Sequence, residues 1–276
     1  MKKLIVLMIV IGLFFYCYFL SREELMLVSN QYYYQTEGGP EEIVVLELLT
    51  YNIQRGIGLD GQLDLKRTAS VIRESGADIV GLNEVDVGTG RSGFINQARY
   101  LAEALQMNYA YGPSIRHYVG SYGNTILSRY PIIDAENIML PVLMGSEGEN
   151  RFLLKARVEL GKDRTINILL THLSLNPEER REQIKWINQY LEELSEPYIL
   201  MGDFNTEARE VLSYIQEDGR LVPLVADSKT YPAALPTKGI DLFFSDERVI
   251  VLEEYTIESS ASDHLPLYLK ISLLPG

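Results

Sequence analysis

The sequence predicts an α/β fold: two stacked β-sheets covered by helices, held behind an N-terminal apolar segment. Three observations predict it. Short apolar runs bounded by polar or turn-forming residues recur from residue 43 to the C-terminus, as buried strands do. Helix signals are few and sharply bounded. Ahead of both, Lys2 and Lys3 precede an uninterrupted apolar stretch, Leu4 to Leu20, followed by Ser21-Arg22-Glu23-Glu24. Of the 276 residues, 46% are hydrophobic and 23% charged, a globular balance that excludes a disordered or collagen-like chain. Beyond the first forty or so residues, about 235 remain, enough for one domain with a large core.

The leader comes first. At about 1.5 Å per residue its apolar stretch is about 26 Å long, at the short end for a spanning helix. A cleaved signal peptide would end in a small-x-small site. Here the exit is Tyr16-Cys17-Tyr18-Phe19-Leu20, which is bulky, and Tyr16 also argues against lipid attachment at Cys17. An uncleaved transmembrane anchor over residues 1–20 is the first reading; a cleaved signal and a buried core helix are its rivals. Lys2 and Lys3 should stay inside, which puts the rest of the chain outside as a single-pass protein, or secretes it if the leader is cleaved. Residues 21–42, with Tyr32-Tyr33-Tyr34 and Gly38-Gly39-Pro40, read as a linker, and 43–276 as the folded domain.

Within the domain, residues 43–51 read as a buried strand. Asp64 caps a helix to about Ser75, which Gly76 ends. Residues 78–83 form a short strand with Glu84 at its C-terminal end. A helix is expected near 96–106, and strands at 124–127, 152–160 and 165–171. Asn176-Pro177-Glu178-Glu179 is a strong helix start, with a cap, a proline in the first turn and acids at the positive end of the dipole. Ile184, Ile187, Leu191 and Leu194 mark its buried face. Strands follow at 198–201, 240–244, 249–257 and 265–271.

The formal net charge is −13 and no Lys/Arg run is present, which argues against specific nucleic-acid binding. It does not exclude a phosphate substrate, because a bound cation reverses the local sign. The single cysteine permits no intramolecular disulfide.

Apolar strands repeatedly end in polar residues: Asn52, Glu84, His172, the Asp203/Asn205 pair and Asp241, with Asp263-His264 opening the last strand. Each alone is ordinary turn chemistry; together they gather chemistry at strand ends. The ordered segments are Leu49-Thr50-Tyr51-Asn52, Gly81-Leu82-Asn83-Glu84-Val85, and Asn124-Thr125-Ile126-Leu127-Ser128-Arg129. Leu170-Thr171-His172-Leu173, Gly202-Asp203-Phe204-Asn205 and Ser262-Asp263-His264 complete the series. In this order they resemble the endonuclease/exonuclease/phosphatase superfamily, the DNase I-like group of nucleases, AP endonucleases, neutral sphingomyelinases and inositol polyphosphate 5-phosphatases.

That resemblance implies a four-layered α/β sandwich, two mainly antiparallel sheets flanked by helices, and a phosphoester hydrolase dependent on Mg²⁺, with Mn²⁺ as an alternative. It assigns Glu84, with Asn52 and Asp263, to the metal side. Asp203 matches the residue that orients or deprotonates the attacking water, and Asn205 one that holds the water or a phosphate oxygen. His264 is the histidine of the terminal motif, Asp241 the acid that orients it, and His172 a donor to the phosphate. Arg91, His117 and Asn124 are candidate substrate contacts, with solvated-loop or structural roles as their alternatives. Gln54 stands where AP endonucleases carry a metal-side aspartate, which weakens a DNA-repair reading.

Three functions compete. The first is a membrane-anchored hydrolase, expected as a monomer, acting on a small or lipid-headgroup phosphoester. The second is an extracellular nuclease. The third, a catalytically silent binding domain, requires the loss of a key residue, yet Glu84, Asp203, Asn205, Asp241, Asp263 and His264 are all present.

Overall fold

A computed structural model describes residues 26–28, 32, 43–145, 148–161, 164–215, 220–225, 228–246 and 248–274. The apolar leader expected to cross the membrane lies outside the described residues. Among those residues no helix is long and apolar enough to span a bilayer.

Two sheets stack face to face. The first contains β1 (Met26–Val28), β2 (Val44–Asn52), β3 (Ile79–Val87), β4 (Asn108–Arg116), β5 (Ser121–Ser128), β12 (Val249–Thr256) and β13 (Leu267–Leu273), in the order β1-β4-β5-β3-β2-β13-β12. The second contains β6 (Ile132–Met139), β7 (Phe152–Gly161), β8 (Arg164–His172), β9 (Tyr198–Asp203), β10 (Val222–Pro223) and β11 (Asp241–Ser245), in the order β10-β11-β9-β8-β7-β6. Both are mixed but mainly antiparallel. Each has one parallel pair, β2/β3 in the first and β8/β9 in the second.

Parallel neighbours need a crossover, and both crossovers are helical. Helix α1 (Leu65–Ser75) joins β2 to β3. It starts where Asp64 accepts from the backbone N–H of Lys66 and Arg67, and stops at Gly76 in the left-handed region. After β3, α2 (Gln97–Leu105) starts at the cap Asn96 and packs against α1. Helix α3 (Pro177–Glu192) joins β8 to β9, with Asn176 accepting from Glu178 and Glu179 and Pro177 in its first turn. A short α4 (Ala208–Ser213) follows β9.

Strand alternation separates two cores. On β2, Val44, Leu46 and Leu48 face the second sheet, whereas Leu49 and Tyr51 face Ala69 and Ile72 of α1 and Leu101 of α2. On the far side of the second sheet, Ile184, Ile187 and Leu191 of α3 are buried. The layers are therefore helices, sheet, sheet, helices. Truncating any of these α3 residues to alanine should cost about 2–5 kcal/mol.

The structure corrects four sequence-based expectations. Glu84 does not end its strand; β3 continues to Val87 and is bulged there, with Asn83 and Glu84 together opposing Asn124. Residues 21–42 are not linker throughout, because Met26–Val28 pairs with β4 as an edge strand. Strand β4 escaped the pattern because Gly112 and Pro113 interrupt it, and a proline usually demotes a strand. Strand β6 escaped because it is a largely exposed sheet edge with mixed polarity.

Candidate active site

The site lies where the two parallel pairs end. The β2/β3 register sets Asn52 beside Asn83, and the β8/β9 register sets His172 beside Asp203. Because the other pairs are antiparallel, strands that begin at this edge contribute as well. Arg151 precedes β7, Asp241 opens β11, and Asp263-His264 precede β13. At this edge lies a cavity of about 890 Å³ lined by Asn52, Glu84, Arg151, His172, Asp203, Asn205, Asp263 and His264 among others, with Asp241 behind His264.

Asp203 is at its centre and fully buried. Its Oδ2 accepts from Asn52 Nδ2 at 3.0 Å and lies 3.6 Å from His172 Nε2 and 3.7 Å from His264 Nε2. Its Oδ1 accepts from the Asn205 N–H at 2.9 Å, and Asn205 Nδ2 donates to the Leu173 carbonyl. This turn requires Gly202: its φ is 134°, and a Cβ there would lie 2.0 Å from the Thr171 carbonyl oxygen.

The two histidines differ in charge for visible reasons. His264 Nδ1 is 2.8 Å from Asp241 Oδ2. Burial opposes a charge on this ring, but Asp241, with Asp203 and Asp263 behind it, outweighs burial and lifts the pKa to about 10. The Tyr231 ring lies 4.8 Å from the imidazole, centroid to centroid. His172 has no such partner. Burial, then the positive charges of Arg151 and His264, push it well below its ordinary value, so it is neutral. Burial also raises Asp203, to about 6, with Asp241 adding to the rise and His264 opposing it.

Across the cavity, Asn52 Nδ2 also donates to Glu84 Oε1 at 3.2 Å, and Gln54 Nε2 donates to Asp263 Oδ2 at 3.1 Å. Glu84 is raised by burial, which Asn52 partly offsets, and by the charge of Asp263. Two carboxylates facing one cavity beside side-chain amides suit a hard cation such as Mg²⁺ or Mn²⁺, and the described residues include no cysteine. Asp203, Asp241 and His264 also lie close enough together to suggest a metal site. The Glu84–Asp263 wall and this histidine group are two donor sets that fit a divalent cation.

The expected substrate contacts fare unevenly. Arg91 lines the cavity, but its Nε and Nη2 pair with the buried carboxylate of Asp86 at 2.8 and 2.7 Å, and it stacks over Tyr122. It is held as a wall and is not a free phosphate grip. His117 is exposed at the rim. Asn124 is corrected: it is buried away from the cavity lining, and its Oδ1 accepts from Asn83 Nδ2. Sequence reasoning missed Asn83, whose side chain donates to Thr171 O and accepts from the Asp203 N–H at 3.0 Å, stitching the sheets together. It also missed Arg55, Arg151, Tyr231 and Lys238 in the lining. Arg151 precedes its strand, and attention to strand beginnings as well as ends would have found it.

The two-sheet sandwich thus carries an Asp-flanked histidine and a carboxylate wall at one set of strand ends. The profile of the Endonuclease/Exonuclease/phosphatase family matches residues 49–264, and the chain belongs to that family. It is similar to the Escherichia coli K12 protein YbhP, 26% identical in an alignment of 251 positions that covers 82% of this chain and 96% of YbhP. Among solved structures it resembles an endonuclease/exonuclease/phosphatase from Beutenbergia cavernae. That likeness has a TM-score of 0.65 and 25% identity, over 83% of this chain and 72% of that one. A mannosyl-6-phosphatase of Bacteroides thetaiotaomicron shares the fold at a TM-score of 0.65 and 19% identity, over 82% of this chain and 99% of that one.

Proposed function

We propose that this chain is a divalent-metal-dependent hydrolase of a small or lipid-headgroup phosphoester, anchored by its leader at the outer face of a membrane. The observation that carries the chemistry is the placement of Asp203, with Asn52 donating to it and His172 and His264 each within 4 Å. Asp203, with a pKa near 6, is anionic at neutral pH yet basic enough to take a proton from an attacking water. Asn205 orients that water or a phosphate oxygen. The imidazolium of His264, fixed by Asp241, donates to the charge that builds on the phosphoryl group, and neutral His172 adds an N–H. Glu84 and Asp263, with Asn52 beside them, would hold the cation, which when bound neutralises phosphate oxygens.

The substrate reading rests on the leader, on the net charge of −13, and on Gln54 in place of the repair-type aspartate. The test is a panel of phosphate-release and diester-cleavage assays on the full chain with Mg²⁺ and Mn²⁺. Small phosphoesters or lipid headgroups should outperform duplex DNA in kcat/KM at about 0.15 M salt. DNA ahead of every other substrate by about tenfold would replace this reading with a nuclease.

A further inference from the structure

The six most exposed large apolar side chains among the described residues are Ile43 (63%), Phe94 (67%), Tyr118 (103%), Met144 (103%), Leu175 (73%) and Leu235 (72%). Ile43 precedes β2 at the end of the sheet away from the site. The other five lie on five different loops, each of which carries a residue of the cavity lining or of the groove beside it. Phe94 follows β3, and Tyr118 tips the β4–β5 hairpin; both line a second groove of about 700 Å³ that shares Arg91 and His117 with the catalytic cavity. Met144 adjoins Gly145 of the cavity lining, and Leu175 is itself part of that lining. Leu235 sits in the turn between Tyr231 and Lys238, two more lining residues. Apolar side chains scattered singly over a surface need no explanation, but five on the loops of one site do.

Strand β1 limits how far the ring can stand from the leader. It is antiparallel to β4, with Met26 opposite Tyr111 and Val28 opposite Tyr109. Met26 is therefore at the end of β1 nearer Arg116 and the Tyr118 hairpin. Five residues separate Leu20, the last of the apolar leader, from Met26. Fully extended, the steps from Leu20 to Met26 span about 20 Å. Arg116 lies about 17 Å beyond the level of Met26, at about 3.3 Å per strand residue. The end of the leader therefore lies within about 20 Å of Met26, a reach that includes the end of the sheet where the Tyr118 hairpin sits.

We propose that the ring of Phe94, Tyr118, Met144, Leu175 and Leu235 is a docking surface for a zwitterionic phospholipid bilayer, so that the catalytic cavity opens directly onto the headgroup layer. The inference rests on the proposed membrane anchor but not on the proposed chemistry. Exposed Arg116 and Lys238 sit among the apolar side chains, with Glu149 as an exposed acid of the cavity lining, so this face is more balanced than the whole chain. Cations interleaved with aromatic and aliphatic side chains suit lipid phosphates above an acyl boundary. The net charge of −13 disfavours a strongly anionic surface.

The test uses the full chain in phosphatidylcholine vesicles whose acyl chains carry bromine, a short-range quencher of indole fluorescence. Trp186 is replaced by Phe, and a reporter is introduced as Tyr118→Trp or, at the far end, Ile43→Trp. Docking predicts that the reporter at position 118 is quenched at least about twofold and blue-shifted, while the one at 43 is unchanged. A chain that sediments with the vesicles but leaves position 118 unquenched overturns the docking and spares the anchor. A chain that neither sediments nor shows quenching overturns both. Self-association in detergent that Tyr118→Ser/Met144→Ser/Leu235→Ser abolishes, without vesicle quenching of the parent, assigns the ring to a second copy of the chain and overturns the lipid reading. If the esterase panel finds a substrate, the same triple variant should lose at least about tenfold on a vesicle-borne phosphoester and keep its rate on a water-soluble one. Equal losses on both overturn the proposal.

Discussion

The two helical crossovers make an instructive pair. Both join parallel strands, both lie in otherwise antiparallel sheets, and both end at the same cavity. The β2–α1–β3 unit delivers Asn52 and Glu84; the β8–α3–β9 unit delivers His172 and Asp203. Yet the carboxylates differ in their nearest neighbours, since Asp203 has His172 and His264 within 4 Å and Glu84 shares its wall with Asp263. Burial raises Glu84 and Asp263 adds to the rise, while Asn52, Arg55 and His264 oppose it. Asp203 is fully buried, but His264 opposes the rise that burial and Asp241 impose, leaving it near 6. One topology used twice has produced two different carboxylates, because neighbours set the role and the strand end sets only the position.

The sharpest way to break that contrast is to neutralise the second unit. Asp203→Asn and His264→Ala should each lower kcat by about 10²–10⁴. The pH profile is part of this prediction. With pKa values near 6 and 10 for Asp203 and His264, kcat/KM should rise as pH passes about 6, where Asp203 ionises, and fall as it approaches about 10, where His264 loses its proton. Steady-state rates across pH check both limbs, and the lower limb should vanish in Asp203→Asn.

On the first unit, Glu84→Gln keeps the shape but removes the charge. It should lower the rate at moderate Mg²⁺ by at least about a hundredfold, and excess metal should partly restore it. Chelation should abolish turnover of the parent protein. Full activity after exhaustive dialysis against a chelator would leave Glu84 without the role the contrast assigns it.

A smaller effect separates direct from indirect action. If Asp241 works by orienting His264, Asp241→Asn combined with His264→Ala should be barely slower than His264→Ala alone. Losses that multiply would give Asp241 a task of its own. Smallest of all, Asn83→Ala removes a buried amide that ties the units together and should cost about 1–3 kcal/mol in denaturant unfolding.

The residues at the heart of the cavity were legible in the sequence because strands buried on both faces are apolar throughout, so Asn52, His172 and Asp203 stand out at their ends. Caps and terminators read equally well, since Asp64, Gly76 and Asn176 act through local backbone geometry. Legibility failed where an outcome depends on partners distant in sequence. Asn83 looked like any strand residue until the second sheet supplied Thr171 and Asp203. Arg91 looked free until Asp86 claimed it, and Arg55, Arg151 and Lys238 carry no periodic signal in their loops. Strand β6 is a largely exposed edge, so its sequence lacks the apolar run that marks a central strand, whereas β1 is apolar but only three residues long.

The bulge in β3 deserves a final inference about chain length. An unbroken strand offers one side chain for each residue of its neighbour, directed to one face. Opposite Asn124 this strand offers two, so Asn83 turns into the seam between the sheets while Glu84, at φ 61°, turns toward the cavity. Losing either residue would leave the rest of the ladder able to pair as before, in a straighter and more regular strand. A protein shortened by Glu84 would keep the regular ladder and lose the carboxylate that the proposed mechanism sets beside the cation. Regularity and activity are thus opposed at this single slot, where a one-residue gap would do more harm than most substitutions.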